Sequence, residues 1–144
     1  MNKLKTITAS PVDREDIVIE VYYENCFLFE IDTDNKKIQA EFYLNEGKFV
    51  VEIDHLINML DTTQILLTRK ENEKCKIGSF LVVNNNEVVS IFTQNNSLFA
   101  KGLKKGNEFL FQICFGEYNN YLLPIYELKS ILMGSIEFFG NRIK

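Results

Sequence analysis

The residues whose types could do chemistry are few: glutamates spaced along apolar stretches, a lone histidine, His55, and the cysteines Cys26, Cys75 and Cys114. Carboxylate pairs such as Glu20 with Glu41 could exchange protons, but acid–base work needs an apolar pocket that raises one carboxylate's pKa. Here the pattern puts both on an open strand face. A histidine triad, dyad or metal cluster would have to use His55, whose neighbour Asp54 points elsewhere on a helix, so His55 reads as a solvated helix residue. A thiol nucleophile needs a cationic or helix-end setting. Cys114 lies in the apolar run FLFQICFG and reads as an inert core thiol, and Cys26 and Cys75 have no such setting in the sequence. No CxxC spacing occurs, which argues against a zinc site and a disulfide framework. The glycine turns NEGK, LKKGNE and FGEYN lack phosphate-cradling spacing, and Lys104–Lys105 is a short basic tip. The expectation is a protein that is not an enzyme and takes no cofactor or metal.

Totals narrow the remaining choices. A chain of 144 residues fits one domain, and a domain of that size buries roughly two thirds of its unfolded surface. With 46% hydrophobic and 25% charged residues it is globular, and 12 Phe, 6 Tyr and no Trp make its core phenylalanine-rich. The net charge of -4 is uneven: residues 1–72 hold 14 acids and 8 bases (8 − 14 = -6), and residues 73–144 hold 6 acids and 8 bases (8 − 6 = +2). The acidic half repels phosphate backbones and attracts a basic partner, so direct nucleic-acid binding is not expected. The N-terminus lacks the apolar core of a signal peptide, and no apolar run is long enough to span a membrane, so the expected location is cytoplasmic.

The elements that must position these residues are legible from their periods. Met1 to Asp16 reads as an arm or short leading strand. Alternation then marks four strands: Ile17–Tyr23, Phe27–Ile31, Ile38–Leu44 and Phe49–Ile53, broken at Glu24–Asn25, Thr33–Lys36 and Asn45–Lys48 by hairpin-type residues. Asp54 can cap a helix, and Leu56, Leu60, Thr63 and Leu67 recur at helical spacing to about Arg69, with Asp61–Thr63 as its weak middle. RKENEKCK, Arg69 to Lys76, is the best candidate for a linker.

Strands around Phe80–Val83, Glu87–Thr93, Ser97–Leu103 and Glu108–Phe115 follow, then a second helical stretch after Pro124. At an offset of 72 residues the apolar positions of FVVEIDHLINML match those of YLLPIYELKSIL. The expected fold is α+β: antiparallel sheets and two helices, as two strand-strand-strand-strand-helix units, about 16–69 and 78–140, in a single domain 1–144. Unrelated meanders would give the same pattern. The second unit's strands are apolar at nearly every position, which predicts burial on both faces.

In the first unit the register sends Phe27, Phe29, Phe42 and Val51 inward, and Val18, Glu20, Tyr22, Leu28, Glu30, Asp32, Glu41, Tyr43 and Glu52 outward. A solvated face is the plain explanation of such acids. Tyrosines and aliphatics among charges of one sign are also what protein interfaces are made of, with aromatics as anchors and rim charges for steering. Glu20, Tyr22, Glu30, Glu41, Tyr43 and Glu52 are therefore the expected partner-binding set.

The segment Ile17 to Leu67, with its opening IVIEVYYENCFLFEI and the later FVVEIDHLINML leading into a helix, resembles the small immunity proteins of bacterial polymorphic and contact-dependent growth-inhibition toxins. The resemblance covers about a third of the chain and excludes the second unit. It implies a cytoplasmic antitoxin that binds a cognate toxin domain, often a basic nuclease, and occludes its active site, with no catalytic residues to carry over. A nucleic-acid-mimicking inhibitor of a defence enzyme, encoded by a phage or mobile element, would use the same acidic face. The oligomeric state is left open.

Overall fold

The alternating segments become strands and the helical spacings become helices in the computed structural model, which describes residues 3–10, 17–44, 47–69, 72–85, 87–114 and 121–142. One sheet has five antiparallel strands in chain order, β1 (Leu4–Ala9), β2 (Val18–Tyr23), β3 (Cys26–Asp34), β4 (Lys37–Leu44) and β5 (Gly47–Glu52), followed directly by α1 (Ile53–Arg69). The other has six, β6 (Glu73–Ile77), β7 (Phe80–Asn85), β8 (Val88–Phe92), β9 (Leu98–Lys105), β10 (Glu108–Ile113) and β11 (Leu123–Pro124), followed by α2 (Ile125–Gly140). Each strand pairs antiparallel with its chain neighbour, and the fold is α+β as expected.

Turn chemistry fixes the register. Asn35 and Lys36, at φ 53° and 66°, form a two-residue loop between the paired residues Asp34 and Lys37. Two positive φ values in a two-residue hairpin give the mirror-image turn whose twist matches the flanking strands. Glu24–Asn25 also forms a two-residue loop, between the paired Tyr23 and Cys26, with Glu24 alone at a positive φ, 55°. The expected break at Asn45–Glu46 lies outside the described residues.

Two local expectations need correction. The supposed linker contains β6, whose Glu73, Lys74 and Lys76 follow from its place at the edge of the sheet, where charge blocks further pairing. Helix α1 begins at Ile53, which places Asp54 inside its first turn, and it runs unbroken through Asp61–Thr63 because buried Leu60, Thr63 and Leu67 outweigh weak propensity.

A β-bulge occurs at the corresponding strand pair of each sheet. Between β2 and β3 the register passes from Val21 with Phe29 to Tyr22 with Phe27, leaving Leu28 extra. Between β8 and β9 it passes from Ile91 with Ala100 to Phe92 with Leu98, leaving Phe99 extra. A bulge resets which face each later residue takes. Leu28 with Phe29, and Phe99 with Ala100, are fully buried. Two expectations are thereby reversed: Leu28 belongs to the core, and Phe27 is half-buried with its ring 5.7 Å from that of Tyr22 and 5.9 Å from that of Tyr43.

Two compact units form, and each takes the helix that follows the other's sheet: Met1–Asp54 with Glu127–Lys144, and His55–Tyr126. In the first, Phe29 and Phe42, ring centroids 4.8 Å apart, lie in the core with Val21, Ile31, Ala40 and Val51, and α2 buries Leu128, Leu132 and Phe139 at helical spacing. In the second, Asn84 Nδ2 donates to the Leu66 carbonyl over 2.9 Å and ties β7 to α1, whose Leu56, Met59, Leu60 and Leu66 are buried. Each large apolar side chain fully buried contributes about 1.5–3 kcal/mol. The second sheet departs from the expected burial on both faces. The α1 side holds the buried Val82, Val89, Ile91, Phe111 and Ile113, while the opposite side is half-exposed.

Candidate partner-binding face

One row of paired residues crosses the first sheet from edge to edge: Ile7, Glu20, Glu30, Glu41 and Val50. Directly opposed like charges destabilise a sheet unless something offsets them. Donors are supplied from the same face. Tyr22 Oη donates to Glu20 over 3.2 Å, Tyr43 Oη donates to Glu30, Gln39 Nε2 to Glu41 over 3.1 Å, and Lys48 Nζ reaches Glu41 at 2.9 Å. At the rim, Lys37 and Glu52 pair at 3.2 Å. Burial, with the Glu20 carboxylate beside it, raises the pKa of the Tyr22 phenol above its ordinary value, so it stays a donor.

All six expected binding residues lie on this face, but they are not equally accessible. Glu30 and Glu41 were expected outside and are only 4% and 1% exposed. They point away from Phe29 and Phe42, yet Tyr43, Gln39 and Lys48 lie on them, so their charges act from beneath the surface. Glu20 and Tyr22 are half-exposed, Tyr43 is 36% exposed, and the Glu52 side chain is open enough to pair with Lys37. Alternation alone missed Val50 and Ile7, which are 41% and 51% exposed at the two ends of the acidic row. The signal was available for Val50, which falls between the inward Phe49 and Val51. Ile7 needed the pairing of β1, which no pattern in the leading segment supplied.

Glu30, Asp32 and Glu41 each place an oxygen within 4.8 Å of the others, a donor type that hard cations take. Lys48 already supplies a positive charge at Glu41. The remaining chemical candidates have structural surroundings. The His55 ring lies over Gly78 in the β6–β7 turn, where an added Cβ would stand 2.8 Å from it; His55 is half-buried rather than simply solvated. Burial pushes the Cys75 thiol upward, with Glu73 adding to the shift, and burial likewise raises Cys114 against a smaller opposing pull from Lys101. Raised thiol pKa values mean less thiolate and weak nucleophiles. Cys26 is exposed, and all three cysteines are thiols.

The face thus combines two chemistries. Its middle is acidic and held by hydrogen bonds, and its accessible parts are aromatic and aliphatic, with Glu20 and Glu52 beside Lys5, Lys37 and Lys48. No helix among the described residues is long and apolar enough to cross a membrane. Comparison of the chain with protein-family models, with curated proteins and with solved structures gives no match.

Proposed function

We propose that the chain is an immunity protein, a non-enzymatic inhibitor that binds a basic toxin domain through the outer face of its first sheet and covers the toxin's active site. The observation that carries this is the setting of Tyr43: an exposed aromatic ring, anchored through its hydroxyl to the buried Glu30, next to Phe27 and on the face that carries Glu20. A ring fixed before binding loses little rotamer freedom on contact, which is what anchor residues of tight interfaces provide. The carboxylates around it attract a cationic partner and raise its association rate on the order of 10- to 1000-fold. A cytoplasmic location fits this role. A phosphate mimic would want its carboxylates at the surface, so the burial of Glu30 and Glu41 favours a protein anchored on Tyr43, Val50 and Ile7.

The test is co-purification from the native host, followed by surface-plasmon kinetics with the captured protein. Glu20→Lys with Glu52→Lys should slow association and flatten its salt dependence, and Tyr43→Ala should speed dissociation. Unchanged rates in both variants would remove the face from the interaction.

A further inference from the structure

The second sheet leaves one side without the residues that solvent-facing strands normally carry. Opposite α1, six apolar side chains are half-exposed: Leu81 and Val83 on β7, Val88 and Phe92 on β8, Leu98 and Leu103 on β9. They form two rows, Leu81–Phe92–Leu98 and Val88–Leu103, with Val83, Ser90 and Lys101 paired across the sheet between them. Lysines adjoin them in the same register. Lys76 pairs with Leu81, Lys74 with Val83, Lys101 with Ser90, and Lys105 ends β9. Four lysines among these apolar side chains, with Glu108 opposite Lys105 at one end, make the face basic on balance, and apolar side chains with such charge mark a protein contact surface.

The chain itself carries a surface of the complementary kind. The outer face of the first sheet exposes Ile7, Tyr43 and Val50, and its carboxylates Glu20, Glu30, Asp32, Asp34, Glu41 and Glu52 outnumber Lys5, Lys37 and Lys48 on the same face, which leaves it acidic on balance. Both sheets are antiparallel and carry a bulge at one strand pair, and twisted antiparallel sheets pack face to face with their strands aligned to within about 30°. We propose that the basic apolar face of the second sheet docks on the acidic face of the first sheet of a second copy, head to tail. Such a contact uses two different patches and repeats from copy to copy. Two basic faces opposed to each other would instead bring their lysines together.

The size of the face sets the strength. Five strands about 4.8 Å apart and about 17 Å long give roughly 400 Å² in plan, half of the roughly 800 Å² per partner of a standard interface. Self-association is therefore weak and concentration-dependent. It uses the acidic face but does not depend on what else binds there.

Sedimentation velocity of the protein alone tests the proposal. Wild type should associate as concentration rises, and less so at high salt, where screening shortens electrostatic reach to about 3 Å at 1 M. Lys74→Glu with Lys76→Glu, at exposed positions that leave the core alone, should weaken association about tenfold or more, as should Glu20→Lys with Glu52→Lys. Mixing the two charge-reversed proteins should restore association, because each then offers the other an opposite face. A wild type that stays monomeric at high concentration overturns the proposal, and so does a dimer that survives the first-sheet variant, which would be a symmetric contact of second sheets. A monomer that instead floats with phosphatidylserine vesicles assigns the basic face to a membrane and also overturns it.

Discussion

Thr63 of α1 occupies the space that a side chain at Gly102 of β9 would need: a Cβ there would stand 2.0 Å from Thr63 Cγ2. Gly102 is required by packing, and its pairing with Val89 and Phe111 puts it on the α1 side of the sheet. Gly102→Ala should destabilise by about 1–3 kcal/mol through overpacking. Thr63→Ala should lose little, because the buried Thr63 hydroxyl makes no hydrogen bond that its removal would break. The double variant should recover most of the loss, since Cγ2 is the clashing atom. Urea melts of the four proteins decide it, and additive losses would place the clash elsewhere.

The bulge between β2 and β3 makes a second prediction. Phe29→Ala and Phe42→Ala should each cost about 3–5 kcal/mol and Leu28→Ala about 2–5 kcal/mol, because all three are fully buried. Phe27→Ala should cost distinctly less, since its ring is half-exposed between Tyr22 and Tyr43. Equal losses at 27 and 29 would mean that the strand alternates without a bulge.

The same bulge marks where sequence stopped being a guide. Period 2 gave β2 to β5 of the first sheet to within a few residues, though not β1, because a sheet with one core face writes its pattern into every second side chain. Phe27, Leu28 and Phe29 are all apolar, so nothing in their types says where parity changes; only the pairing with Val21 and Tyr22 does. Strand β6 was hidden for the opposite reason, an edge strand being free to carry charge on both sides. The six expected residues share one face, as their register implied, but two of them were misjudged in depth. Glu30 and Glu41 have the register of surface residues, while the side chains that cover them, Tyr43 and Lys48, come from neighbouring positions across the sheet.

Thiol reactivity should follow burial. At pH 8, Cys26 should react with a soluble disulfide reagent first and Cys75 and Cys114 more slowly, because their raised pKa values reduce the thiolate fraction there. The sign is fixed: raising the pH should narrow the gap as the two slow thiols ionise. Mass-spectrometric timing of each cysteine checks it, and a fast Cys114 would reopen the search for a nucleophile.

Thermal stability should not change with EDTA or with a reducing agent, since the cysteines are thiols and the core is apolar. A midpoint lowered by several degrees by the chelator would point to an ion held by Glu30, Asp32 and Glu41.

The exchange of helices decides what damage at either end of the chain does. Residues 55–126 hold every segment of the second unit, so that unit has all its parts once Tyr126 has been synthesised, while the first sheet, made earlier, still lacks its helix. During synthesis the earlier-made sheet is thus the later to be completed, and it must wait with Phe29 and Phe42 uncovered by α2. A protease cut or premature stop after Tyr126 would accordingly injure the N-terminal sheet, whose first strand lies more than a hundred residues away in sequence, and spare the second sheet. If the proposed role holds, loss of toxin binding from such a C-terminal truncation would report the collapse of the first sheet's face, not the removal of a contact.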